Sequence, residues 1–153
     1  MATDVEAAID RAFREVQLSP DEPLTGATSG EPVEDTEPYR GKQWYEVDRE
    51  ILSRYHYALS WFTPNAFQYY LPAFLKGGLT DPKAVYVISL LMFLKPTDDP
   101  VLALFRRQRW ELLTDAQVEA LEDWLQWLAD HSKPNAQDEF EDALRVVRDR
   151  YWW

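Results

Sequence analysis

The 153-residue sequence contains no cysteine, only two histidines and only five glycines. The absence of cysteine excludes disulfides, thiolate catalysis and cysteine-ligated zinc, and it fits a reducing compartment. With so few glycines, neither a phosphate-binding loop nor a dinucleotide fingerprint occurs. No serine has the Gly-x-Ser-x-Gly context of a hydrolase nucleophile. We therefore expect no cofactor, and the sequence predicts no catalytic residue.

Basic residues are outnumbered, since 16 Lys and Arg stand against 27 Asp and Glu for a formal net charge of −11. An acidic chain repels nucleic-acid backbones and anionic lipids, so we expect neither as a partner. The longest apolar run, residues 84–94, is too short to span a bilayer, and we expect no secretory signal because no basic-apolar-small pattern is apparent at the start. The charge is compatible with a basic protein as partner, and simple solubility is the favoured explanation. We expect a cytoplasmic location.

Aromatic residues are abundant, with seven Trp, eight Tyr and seven Phe, and many lie between Tyr39 and Phe74. Because each ring can bury a large apolar area, most of them are expected in the core. Helical periodicity, capping residues and helix-starting prolines predict an all-α, single-domain bundle of about seven helices over residues 1–153. The predicted helices cover about residues 4–16, 47–61, 63–78, 81–94, 99–109, 114–131 and 135–151.

The central stretch, residues 63–78, carries the strongest helix signals. Thr63 supplies an N-cap, and Pro64 suits the first helical position. Pro72 removes one backbone donor, so we expect a kink or a break there. Gly77 and Gly78 are expected to end the helix, because glycine accepts the left-handed conformation at a C-terminus.

Residues 17–43 form the least helix-like part of the sequence. They contain four prolines and three glycines, together with six acids and no base between Asp21 and Glu37. This composition predicts an extended acidic loop or linker. Loops of this length are usually functional or disordered. The alternatives are an acidic arm that meets a basic partner and a solvated strap on the surface.

Residues 84–94 are apolar nearly all round. The β-branched side chains of Val85, Val87 and Ile88 are compatible with a buried strand. The Asp81-Pro82 entry and the length of the run favour a helix instead. A helix without a polar face is expected to be surrounded by other helices.

Residues 58–75 resemble a known sequence signature. Ala-Leu-Ser-Trp-Phe-Thr-Pro at 58–64 is followed by Phe-Gln-Tyr-Tyr-Leu-Pro-Ala-Phe-Leu at 67–75. Together with Trp44, these segments resemble an uncharacterised bacterial family, a domain of unknown function, which carries Leu-Ser-Phe-Leu-Thr-Pro before a similar Tyr-Tyr-Leu-Pro-Ala segment. In outline the resemblance covers residues 36–130. It implies a bacterial origin and a mainly helical fold, and it transfers no catalytic residue.

The candidate functional residues are suited to binding rather than to catalysis. His56 and His131 have no second ligand at helical spacing, so both are interpreted as structural and no metal site is predicted. Arginines beside tryptophans have the composition of an interface hot spot. The candidate ligand or partner surface consists of Trp44, Tyr45, Trp61, Tyr69, Tyr70, Arg106, Arg107, Arg109, Trp124, Trp127, Trp152 and Trp153.

Three functions from different classes remain open. The leading hypothesis is a non-enzymatic protein–protein interaction module of immunity or adaptor type in a bacterial cytoplasm. The second is a small-ligand-binding protein or an enzyme with an aromatic pocket near Pro72. That pocket would be lined by Tyr45, Trp61, Tyr69 and Tyr70. The third is a homodimer formed through Trp124, Trp127 and the Trp152-Trp153 tail.

Overall fold

The computed structural model of the chain describes residues 2–150, apart from the side chains of residues 135 and 136. Across these residues the regular elements are nine α-helices and two short 3-10 helices, so the all-α prediction is confirmed. The 3-10 helices are Glu37–Tyr39 and Trp44–Glu46. The α-helices are α1 (Ala2–Ala12), α2 (Glu31–Thr36), α3 (Arg49–Arg54), α4 (Ala58–Trp61), α5 (Pro64–Thr80), α6 (Val85–Leu94), α7 (Pro100–Trp110), α8 (Asp115–Asp130) and α9 (Pro134–Arg148).

The structure has two more helices than the seven expected, for two separate reasons. The segment predicted as one helix over 47–61 is divided into α3 and α4 by a turn at residues 55–57. The predicted acidic loop contains α2, which begins after Gly30 at a φ of 84° and has a proline in its first turn. Thr36 Oγ1 donates to Pro32 O at 2.8 Å and satisfies a carbonyl within that helix. The expectation of a continuous loop over 17–43 is therefore corrected.

Residues 17–43 are fastened to the helices by buried side chains and by specific hydrogen bonds. Leu24 and Tyr39 are buried in the core. Leu24 O accepts from Thr63 N at 2.9 Å, directly before α5. Asp35 Oδ2 accepts from Trp61 Nε1 at 3.0 Å. The acidic segment is thus a strap that lies across α4 and the start of α5. Its contacts hold it against the helices, so it does not extend freely into solvent.

The central helix, α5, contacts α1, α3, α6, α7 and α8. Thr63 Oγ1 accepts from Ala66 N at 3.2 Å and caps the helix as expected. Pro72 is buried inside α5, and the helix continues on both sides of it, so no break occurs. Its apolar neighbours hold the helix together there, because ten of its 17 residues are buried.

The two glycines of α5 do not end the helix, which runs on to Thr80. They permit close packing instead. A Cβ atom on Gly78 would lie 2.7 Å from Cζ2 of Trp124, and one on Gly77 would lie 2.8 Å from Cε1 of Tyr86. Glycine is needed at these positions because aromatic rings of α8 and α6 lie directly against the backbone of α5.

Replacing Gly78 with valine is expected to lower the free energy of unfolding by about 2 kcal/mol or more, because the added atoms overlap the buried Trp124 ring. Gly26→Val is the matched control, since a Cβ on Gly26 meets nothing within 4 Å. Urea unfolding measures both variants. Equal stability of the two would show that the close approach of Trp124 is not required.

The buried side chains form one contiguous hydrophobic core. α8 packs against both α1 and α9, which brings the two ends of the described chain together. Phe67 of α5 contacts Phe93 and Trp110, with ring centroids 5.1 and 5.0 Å away. None of the helices within residues 2–150 combines the length and the apolar character needed to cross a membrane.

Candidate functional site

An open cleft of about 540 Å³ lies between α5 and the segment that joins the second 3-10 helix to α3; we call it the Trp44 cleft. Ala73 and Gly77 line its α5 side, and Trp44 and Tyr45 line the opposite side. Ala73 follows Pro72 directly, so the cleft lies beside the proline where the sequence placed a pocket. Of the four side chains predicted to line that pocket, Tyr45 lines this cleft.

Local hydrogen bonds fix the aromatic side of the Trp44 cleft. Gln43 N donates to Glu46 Oε1 at 2.7 Å, which closes a capping box around the 3-10 helix. Tyr69 Oη donates to Gln43 Oε1 at 2.6 Å and links that helix to α5. Asp48 Oδ1 accepts from Ile51 N at 2.9 Å and caps α3. The cleft therefore has a preformed backbone.

Lys76 carries an ammonium group at the α5 side of the Trp44 cleft. Its Nζ lies 2.8 Å from Asp10 Oδ1, 3.5 Å from Glu6 Oε1 and 5.5 Å from the centroid of the Trp44 ring. Burial on its own lowers the pKa of Lys76, but the hydrogen bond to Asp10 and the two carboxylate charges outweigh it, so the pKa is raised. Lys76 thus stays charged and joins α1 to α5.

Tyr69 and Tyr70, predicted as surface residues, lie in the interior. Tyr70 Oη lies 2.6 Å from Tyr39 O and 2.9 Å from Lys42 O, which are its two acceptors. Burial raises the pKa of Tyr70 to about 12, and burial also raises the pKa of Tyr69. Burial, aided by the charge of Asp35, also raises the pKa of Tyr39. The hydroxyls of Tyr69 and Tyr70 fasten residues 39–43 to α5, and that of Tyr39 donates to Tyr55 O after α3.

A second surface feature consists of Tyr57, Val85, Ile88 and Met92, and we call it the α6 face. These apolar side chains are 62%, 42%, 55% and 51% exposed. Val85, Ile88 and Met92 recur at helical spacing along one side of α6. Tyr57 stacks near His56 at a ring distance of 4.2 Å, and His56 Nδ1 lies 2.7 Å from Ser89 Oγ on α6. The expectation that α6 is surrounded is therefore wrong for this side of the helix.

The His56–Ser89 contact places a serine hydroxyl beside an imidazole, the pair that acts as nucleophile and general base in serine hydrolases. Burial lowers the pKa of His56, which favours the neutral ring. Ser89 lies in the middle of α6, where backbone N–H groups are committed to helix carbonyls. An oxyanion needs donors that are free to point at it. The contact is better suited to holding the 55–57 turn against α6 than to acyl transfer.

The predicted arginine cluster is divided between interior and surface. Arg109 is buried, and its Nε and Nη2 donate to Phe62 O at 3.1 and 2.8 Å. Burial lowers the pKa of Arg109 to about 10. Arg107 is exposed and pairs with Glu111 at 2.6 Å, and Arg106 Nη1 donates to Lys95 O beyond the end of α6. Arg109 therefore links α7 to Phe62, the residue that follows α4, and is not a surface cation.

With this geometry described, the chain can be compared with known proteins. A model of the DUF6714 family, a family of unknown function, matches residues 1–153. The chain belongs to this family. No curated protein and no solved structure shows a significant match. Membership confirms the resemblance to a family of unknown function and assigns no activity, so any function of this DUF6714 chain must be argued from its own surfaces.

The predicted tryptophans of this DUF6714 chain take different roles. Trp124 is fully buried, and its Nε1 donates to Leu75 O at 2.7 Å. Trp127 is half-buried and stacks on His131 with ring centroids 4.3 Å apart. Trp61 donates a hydrogen bond to Asp35 of the strap, and Trp44 lines the Trp44 cleft. Trp152 and Trp153 lie outside the described residues. Trp124 is therefore an interior residue, whereas Trp127 is partly accessible.

Sequence reasoning misses the α6 face because α6 has no charged side that would mark the direction of solvent. The signal was nonetheless present: ten consecutive residues, Val85–Leu94, carry no charge. An entirely apolar helix is either enclosed or presents one apolar side to solvent. Which alternative holds depends on how many neighbouring helices pack against α6. The rings of α7 contact α6 at Phe93, near the C-terminal end of α6.

Within residues 2–150, no group of three or more His, Asp or Glu side chains lies close enough together to hold a metal ion. The Trp44 cleft and the α6 face are two of the surface features that this part of the chain offers for binding.

Proposed function

We propose that this DUF6714 protein is a non-enzymatic protein–protein interaction module that binds its partner through the α6 face. The observation that carries the proposal is the exposure of Ile88 and Met92 on a helix without charge. Exposed apolar side chains in a continuous patch are typical of interaction surfaces. Methionine adapts its shape to a partner, which suits this role.

The partner that fits is a protein that presents an apolar helix face bordered by basic side chains. The stripe from Val85 to Met92 extends about 10 Å, the length over which a second helix can lie along it. The net charge of −11 attracts a basic border and opposes an acidic one. The α6 face itself carries no charge, so a partner that covers it would bury no unpaired ion.

An immunity-type or adaptor role in a bacterial cytoplasm is the concrete form of the proposal. The cysteine-free composition supports a reducing compartment. A toxin gene beside the gene for this protein in its source genome would support the immunity role.

The α6 face is tested by replacing Ile88 with a photo-crosslinking residue and identifying the protein captured in native lysate. The captured protein is then purified and titrated. Ile88→Asp is expected to weaken binding at least tenfold, about 1.4 kcal/mol, because it places a carboxylate in the apolar contact. Leu104→Asp on α7 is the matched control, since Leu104 is also 55% exposed.

Three outcomes would contradict this proposal. The purified partner could bind wild type and Ile88→Asp equally, or Leu104→Asp could lose as much affinity as Ile88→Asp. Light scattering could also show a dimer that Ile88→Asp dissociates, which would make a second copy the occupant of the face.

A further inference from the structure

The Trp44 cleft contains an exposed aromatic ring that the fold does not use. Tyr45 is 68% exposed, whereas the neighbouring Trp44 is buried. The two rings stand nearly perpendicular, at 82°, with centroids 5.5 Å apart. This pair forms an aromatic corner at the edge of an open cleft of about 540 Å³, which is large enough for a small organic group.

The cleft already holds one organic cation of the chain itself. The Lys76 ammonium lies 5.5 Å from the Trp44 ring centroid and forms ion pairs with Asp10 and Glu6. An aromatic face backed by carboxylates is the combination that attracts ammonium and guanidinium groups. The same residue types lie around Tyr45, since the acidic residues Asp48 and Glu50 line the same cleft.

The charges around the cleft favour a cation over an anion. Lys76 is paired with two carboxylates, and Arg49 Nη2 lies 3.4 Å from Asp81 Oδ2. Glu50 contacts Arg54 at 3.8 Å, and both side chains are largely exposed, so that pair is weak. The lining residues and their ion partners therefore comprise five carboxylates and three cations.

We infer that the Trp44 cleft binds an organic cation, an ammonium or a guanidinium group, against the ring of Tyr45. Asp48 and Glu50 supply the balancing negative charge. One oxygen of Asp48 also caps α3. The group can belong to a free small molecule or to a lysine or arginine side chain of a basic protein. The site is separate from the α6 face, and its test uses different residues.

The test is a titration of the ¹⁵N-labelled full chain, followed by amide chemical shifts, with three probes at matched ionic strength. Tetramethylammonium represents a free cation, and a short lysine peptide represents a protein side chain. Benzoate is the anionic control. Both cations are expected to shift the amides around Tyr45 in a saturable way, whereas benzoate leaves them unchanged. A tighter lysine peptide assigns the source to a protein, and equal affinity assigns it to a small molecule.

Variants decide whether the ring and the charge bind the probe. Tyr45→Ala is expected to weaken cation binding about two- to fivefold, the range of an exposed cation–π contact. Glu50→Gln is expected to weaken it as well and to make it less sensitive to salt. Leu104→Ala removes an exposed side chain of α7 that does not line the cleft, and it should bind like wild type. Equal affinity of Tyr45→Ala and Leu104→Ala, or equal shifts with benzoate, would overturn the inference.

Discussion

Replacing Trp124 with alanine is expected to lower the free energy of unfolding by about 3–5 kcal/mol. The indole is fully buried and lies against the Gly78 backbone, so its removal leaves a cavity between α8 and α5. It also removes the donor to Leu75 O. A loss of this size is a large part of the total stability of about 5–15 kcal/mol that a domain possesses.

The control for Trp124→Ala is Trp127→Ala, one turn further along α8. Trp127 is half-buried and stacks on His131, so its truncation should have a clearly smaller effect. Chemical denaturation followed by circular dichroism, repeated at two protein concentrations, compares the two. A larger effect for Trp127, or a stability of wild type that rises with concentration, would instead indicate an interface at these tryptophans.

Between pH 10 and pH 12 the folded protein is expected to lose stability steeply. Burial raises the pKa of Tyr70 from 10.0 to about 12, so the unfolded chain releases this proton first. The unfolded state then binds fewer protons than the folded state, and stability falls as pH rises through this window. The full stability is present below pH 10. Tyr70 alone accounts for about 2 kcal/mol by pH 12.

Other groups modify this alkaline transition in known directions. Burial raises the pKa of Tyr39 as well, which adds to the loss. Burial lowers the pKa of Arg109 to about 10, which has the opposite sign: the folded state releases that proton first, so stability rises with pH. Two deeply buried tyrosines oppose one deeply buried arginine, and the net result is destabilisation.

Urea unfolding at a series of alkaline pH values measures this slope. Tyr70→Phe is expected to be less stable at neutral pH, because Tyr39 O and Lys42 O lose a donor. Its stability should fall less steeply with pH, because the perturbed hydroxyl is gone. High salt is the control, since it screens repulsion among exposed carboxylates and leaves the burial effect in place. A flat profile for wild type would contradict the burial of these hydroxyls.

Local signals were sufficient for three helix starts, whereas α6 begins at Val85 rather than at Asp81 and α9 begins at Pro134 rather than at Asn135. Thr63, Asp99 and Thr114 each accept from backbone N–H groups at the start of α5, α7 and α8, as their sequence context indicated. These interactions span three residues or fewer along the chain, so the sequence contains them completely. The break after α3 and the helix α2 were missed because both depend on contacts with distant residues.

Gly77 and Gly78 illustrate how tertiary contacts override a local signal. Their sequence context suggests a helix end, but the rings of Tyr86 and Trp124 need the space that a side chain would fill. Tertiary contacts also decide which aromatic side chains are buried and which are exposed. Tyr69, Tyr70 and Trp124 are buried by neighbouring helices, whereas Tyr45 and Tyr57 stay exposed. Nothing in the residue type distinguishes these two groups.

The sequence by itself determined that the protein is helical, acidic and rich in buried rings, because composition, capping and periodicity act over a few residues. Only the tertiary structure decided that one side of α6 stays uncovered and that Tyr45 stands over an open cleft. Exposure depends on which distant helices reach a surface, and that is a property of the packed chain rather than of any segment within it.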